Sequence, residues 1–151
     1  MDRAEFRALG GRVVLFSPTE LVRDALAAWL REAGYAVDPC ATEEEAASRL
    51  GARAARVFIT TELLPRGTAL PTLAALRERH PDTAVLYIDE GPLRPAREGL
   101  LPASFARVCG VDATVEWPFD RRAVMSAVES ASAAITGVPA AGNDPHSGAA
   151  G

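Results

Sequence analysis

Three hydroxyl side chains and three carboxylates sit in this sequence where the chain leaves short apolar runs. Ser17 and Thr19 follow the run Arg12 to Phe16, and Thr61 follows Arg56 to Thr60. If those runs are neighbouring strands, the hydroxyls gather at loops facing one helix N-terminus. Backbone N–H groups and the helix dipole could bind an anion there. The structural alternative is that Ser17 or Thr19 caps the helix, with Pro18 suited to its start. Glu20, Glu62 and Asp89 fall near the same edge, and three carboxylates could recruit a divalent cation. Against this, Glu62 follows Thr61 directly, and the two-residue period of an extended chain turns it away; acidic residues at loop edges are more often solvated. His80 precedes Pro81 at a helix end, where its charge would favour the dipole, and His146 lies near the C-terminus. Neither has a serine, cysteine or carboxylate arranged as a triad. Cys40 and Cys109 lack Cys-x-x-Cys spacing and read as two buried thiols. The residues thus suggest binding, and no enzyme, metal or cofactor is expected.

These groups must be positioned by an alternation of short β-type runs and amphipathic stretches. That rhythm predicts an α/β fold with a parallel sheet covered by helices on both faces. Arg12 to Phe16 is a continuous apolar run, as a strand buried on both sides should be. From Glu20 to Ala33, Leu21, Val22, Ala25, Leu26, Trp29 and Leu30 recur at helical spacing, and Gly34 stands where a C-terminal cap belongs. Tyr35 to Val37 predicts a second strand ended by Pro39. Thr42 to Glu45 has capping-box form before a helix through Leu50. Further strands are predicted over Arg56–Thr60, Ala84–Ile88 and Ala113–Val115. A helix begins near Pro71 with Leu73 and Leu76 inward. A short one lies near Ala103 to Cys109, and a last one is capped by Asp120, with Val124, Met125, Val128 and Ile135 as its stripe. Residues 1–11 read as an N-terminal extension, 12–136 as the domain, and 137–151, rich in Gly, Ala and Pro, as a disordered tail.

Three local signatures in this order resemble the response-regulator receiver family, of the CheY-like kind, over roughly Arg12 to Ala134. They are the first strand and helix from Arg12 to Leu26, the loop Thr61 to Gly67 with Pro65-Arg66-Gly67, and Trp117-Pro118-Phe119 after the fifth strand. The resemblance implies a doubly wound, flavodoxin-like (βα)5 fold with a five-stranded parallel sheet in the order 2-1-3-4-5. It also implies a cis Trp117–Pro118 bond. The family moves a phosphoryl group onto a strand-end aspartate, with Mg²⁺ held by that aspartate and an acidic pair. Here Ser17 and Pro18 stand at the acidic pair, Thr61 at the aspartate, Asp89 at the switch hydroxyl and Trp117 at the lysine. A neutral hydroxyl and a proline make a poor magnesium site. Threonine cannot form an acyl phosphate, and indole offers only an N–H donor. The resemblance therefore implies a degenerate, unphosphorylated pseudo-receiver. Trp117 is expected to plug the vacated pocket, the alternative being an exposed aromatic anchor in an interface.

Composition narrows the partners. All sixteen basic residues are arginine, so no lysine can take the family's lysine role. A net charge of −4 argues against nucleic acid, and no apolar run is long enough to span a membrane. Without a signal-peptide stretch, a cytoplasmic location is expected. The expected function is a phosphorylation-independent protein–protein interaction adaptor in bacterial signal transduction, with a signalling, kinase or polarity component as partner and a homodimer possible. In the family, the helix before the fifth strand, that strand and the last helix form the output face. Here that face would draw on Arg107, Phe119, Arg121 and Arg122, bordered by the loop from Gly91 to Pro102. The alternative is a flavodoxin-like small-molecule or nucleotide binder, whose phosphate loop would be Ser17 to Glu20. That loop contains no glycine to let the backbone approach a phosphate.

Overall fold

The computed structural model describes residues 11–62, 73–94 and 110–136. Within them, five strands form one parallel sheet in the order β2-β1-β3-β4-β5. The strands are β1 Arg12–Phe16, β2 Ala36–Cys40, β3 Val57–Thr60, β4 Ala84–Ile88 and β5 Ala113–Val115. The described helices are α1 Glu20–Glu32, α2 Glu43–Ala52, α3 Leu73–Arg79 and α4 Arg121–Thr136, with a 3-10 turn over Gly91–Leu93. The segment predicted as a short helix near Ala103 to Cys109, the loop after Glu62, and residues 137–151 lie outside the described residues.

The central strands are apolar on both faces because each face is covered. Val13 and Leu15 of β1, Val57 and Ile59 of β3, and Leu86 and Ile88 of β4 pack beneath α1 and α4. Val14, Phe16, Phe58 and Val85 point the other way, into a second layer with Ala46, Leu50 and Leu76. Strict alternation assigns each residue to a layer, and parallel register aligns the layers: Val13 pairs with Val37 on one side and Val57 on the other. Each fully buried Leu or Ile contributes about 1.5–3 kcal/mol relative to exposure.

Helix boundaries follow local chemistry. Thr42 accepts a hydrogen bond from the Glu45 backbone N–H at 3.2 Å, the first half of the expected capping box, and Glu45 reaches back to the N–H of Ala41, one residue before the cap, at 3.3 Å. Asp120 caps α4 through the Ala123 N–H at 2.8 Å. At the end of α1, Gly34 takes φ 99°, and the Tyr35 N–H returns to the Leu30 carbonyl. In α1 the buried arc runs through Val22, Leu26, Leu30 and Ala27, which leaves Leu21 on the far side and 69% exposed. In α4, Val124, Val128 and Ala131 are buried.

Two expectations need correction. Pro39 does not end β2 but lies inside it. Because β2 is an edge strand, the missing N–H can face away from the ladder. Neither Ser17 nor Thr19 accepts a helix N–H as a side-chain cap for α1: Thr19 holds the N-cap position without a side-chain bond to the helix. Both hydroxyls are engaged elsewhere.

Candidate functional site

The carboxyl ends of β1, β3 and β4 enclose a crevice, and its occupant is a side chain of the protein itself. The Ser17 N–H extends the ladder to Cys40, and the Thr61 N–H donates to the Phe16 carbonyl. Ser17 and Thr61 are fully buried at these strand ends. Between them lies Glu90, two residues past β4 and also fully buried. The Ser17 hydroxyl donates to Glu90 Oε2 at 2.6 Å, and the Thr19 hydroxyl donates to Oε1 at 3.2 Å. Thr61 adds a third hydroxyl that favours the charged carboxylate. Ser17 Oγ is itself held by the Thr19 N–H at 3.1 Å.

Burial pushes the Glu90 carboxyl above its ordinary value of 4.5, while the Ser17, Thr19 and Thr61 hydroxyls and the positive charge of Arg94 pull it back. Desolvation outweighs this help because hydroxyl dipoles replace water only in part. Next to it, burial raises the Tyr87 phenol to about 12. On the other side of the sheet's centre, burial lifts the Cys40 thiol to about 11, so this thiol is poorly nucleophilic. Cys109 lies outside the described residues.

Each residue singled out from the sequence can now be placed. Ser17 and Thr61 line the crevice, and Pro18 lies half-buried at its rim. Asp89 does not point into the crevice: its N–H donates to the Val115 carbonyl and its Oδ1 accepts the Gly91 N–H at 2.9 Å. The expected negative charge is therefore supplied by the next residue. The chain has left β4 here, and the helical backbone of Glu90 (φ −81°, ψ −4°), at the start of the 3-10 turn, separates its direction from that of Asp89. That adjacency, with a Gly-Pro turn immediately after it, was the one signal in the sequence that could have revealed Glu90.

Trp117 also departs from expectation. It does not plug the pocket, which Glu90 fills, but lies at the surface with 37% exposure. The Trp117–Pro118 bond is cis. The indole packs directly over Gly91, whose φ is +55°; a Cβ there would stand 2.3 Å from Trp117 Cγ. Phe119 meets Trp117 edge-to-face at 5.7 Å and Trp29 at 6.3 Å. The pocket plug and the surface aromatic are thus two different residues.

Glu62 is corrected as well: it is buried, not solvated. Thr60 folds the chain back, accepting the Glu62 N–H at 3.2 Å and donating to its carbonyl at 2.8 Å. Glu20 is exposed on the first turn of α1. Among the described residues no group of three His, Cys, Asp or Glu side chains is arranged to hold a metal ion. The crevice does not fit magnesium: Ser17 and Thr61 are neutral, Pro18 has no donor, and both Glu90 oxygens already accept hydroxyls. Nor does the Ser17–Glu20 loop fit a phosphate, because its hydroxyls point at Glu90.

Of the residues assigned to an output face, Phe119 is half-buried between the two tryptophans, Arg121 pairs with Glu32 at 2.8 Å, and Arg122 is exposed. Arg107 lies outside the described residues. No described helix is long and apolar enough to cross a membrane.

No protein-family model matches the sequence, and no curated protein does. Solved structures do match. A response regulator protein from Burkholderia multivorans is 25% identical, with TM-score 0.59 over 86% of this chain and 97% of that one. A CheY-like response regulator receiver domain protein from Methanospirillum hungatei is 15% identical, with TM-score 0.64 over 85% and 98%. A response regulator from Burkholderia pseudomallei, solved with a phosphorylated aspartic acid and a calcium ion, is 20% identical, with TM-score 0.60 over 83% and 71%. Strand order and these likenesses together give the chain the CheY-like receiver fold, the fold of response regulators in signal transduction.

Proposed function

We propose that this chain is a phosphorylation-independent pseudo-receiver that acts as an adaptor by binding another protein. The observation that carries this reading is Glu90, seated among Ser17, Thr19 and Thr61 where the resemblance places phosphoryl and metal chemistry. An incoming phosphoryl group would have to displace a buried carboxylate and would meet no lysine to neutralise it. The strand-end position after β3 is a threonine, whose hydroxyl cannot give the labile acyl phosphate of a switch. With its interior chemistry closed, the fold can still present a surface. The exposed Trp117, beside Phe119, is the kind of side chain that anchors protein interfaces.

Incubation with acetyl phosphate and Mg²⁺, followed by intact-mass measurement, tests the reading. The mass should stay that of the unmodified chain, and capture of partners from a lysate should not depend on the treatment. A stable phosphoryl adduct on Thr61 would overturn it.

A further inference from the structure

We infer that Glu90, Gly91 and Trp117 form an internal latch through which the buried crevice sets the position of an exposed aromatic side chain. The inference goes beyond the proposed function and does not depend on it.

The inner end of the latch is long-range. Glu90 is fixed by hydroxyls 73 and 71 residues away, on the loop between β1 and α1. The middle is stiff. Asp89 is tied to β5 through the Val115 carbonyl, and its carboxylate holds the Gly91 N–H. The 3-10 turn closes behind it, with the Leu93 and Arg94 N–H groups returning to Glu90 and Gly91. The outer end is a close fit. Gly91 at φ +55° presents bare backbone to the indole, so the ring rests where any side chain would collide. Leu93, 39% exposed, stands two residues further along the same turn. Two polar anchors, Asp89 and Glu90, and one steric seat, Gly91, share three consecutive residues, so the hold on the Glu90 carboxylate and the surface on which Trp117 lies belong to one turn. A buried state thereby reaches the exterior through one rigid turn, without a change in sheet or helices.

The chain has two tryptophans, so a Trp29→Phe background makes Trp117 the sole reporter. In that background, Glu90→Ala is expected to red-shift Trp117 emission. Acrylamide quenching should rise about twofold, bounded by the step from 37% to full exposure. Glu90→Gln, which keeps the bulk and one acceptor oxygen and puts an NH2 that can donate to a hydroxyl oxygen at the other, should leave emission and quenching close to the parent. Ser17→Ala with Thr19→Val removes the donors from the opposite side of the crevice. It should reproduce the Glu90→Ala spectrum, and it decides the matter if Glu90→Ala does not fold. Unchanged Trp117 emission and quenching in a folded variant that has lost the anchors would overturn the latch.

Discussion

The two edges of this sheet solve the problem of charge in opposite ways. At the amino ends, opposite charges meet. Arg12 grips Asp38 Oδ2 at 2.6 Å and also reaches the Arg49 carbonyl near the end of α2 at 2.9 Å. Arg77 pairs with Asp112 at 2.8 Å, and Asp112 in turn accepts the Val85 N–H at 2.7 Å. These groups remain partly in contact with water, so neither partner bears the full cost of desolvation. At the carboxyl ends, Glu90 and Glu62 are both buried, and Glu90 is held by hydroxyls. The amino edge is a fastening, whereas the carboxyl edge holds an ionisable group under strain of solvation. A carboxyl whose burial is only partly compensated, set in a crevice at the ends of the strands, marks a candidate functional site.

The sharpest way to break the carboxyl edge is steric. Gly91→Ala should cost about 2–4 kcal/mol, combining the left-handed φ with collision against Trp117. Adding Trp117→Ala should recover the steric share and leave about 1 kcal/mol for φ alone. Urea denaturation of the four corners of this cycle checks it; strict additivity would show that the two residues are independent.

At the other edge, Arg12→Ala should cost about 1–3 kcal/mol, since Asp38 and the Arg49 carbonyl of α2 lose a common partner. Its effect should shrink only modestly at high salt, because the arginine side chain is just 11% exposed. A fully screened effect would place the pair in solvent and erase the contrast between the edges.

The smallest effect concerns pH. Burial raises the folded-state carboxyl of Glu90 above 4.5, so the unfolded chain releases this proton first as pH rises. The stability contributed by Glu90 is therefore full below the ordinary carboxyl range and is lost as pH rises through the raised value. Glu90→Gln should flatten that decline, and comparison of urea midpoints from pH 4.5 toward neutrality measures it. A parent protein that instead gains stability relative to Glu90→Gln toward neutral pH would mean that the hydroxyls favour the charged carboxylate more than burial penalises it.

Much of the architecture was legible because it rests on local or periodic signals. The runs Ala84–Ile88 and Ala113–Val115 are strands with those bounds, and the capping residues Thr42 and Asp120 act as their spacing suggested. The crevice was legible only in its lining. Ser17 and Thr61 are placed by strand ends, which apolar runs reveal. Glu90 was not, because choosing between Asp89 and Glu90 requires the rotation of the chain as it leaves β4. Trp117 misled for a related reason: its size suggested a plug, but its place depends on a glycine 26 positions earlier that no local pattern connects to it.

Sequence alone determined the alternation of strands and helices, the absence of lysine, and the presence of hydroxyl side chains, Ser17 and Thr61, just beyond β1 and β3. Those follow from side-chain identity and short-range periodicity. Tertiary structure decided which carboxylate enters the crevice and which aromatic stays outside. Such choices depend on how distant segments compete for the same volume: Glu90 meets Ser17, and Trp117 meets Gly91, only when the sheet brings their strands together.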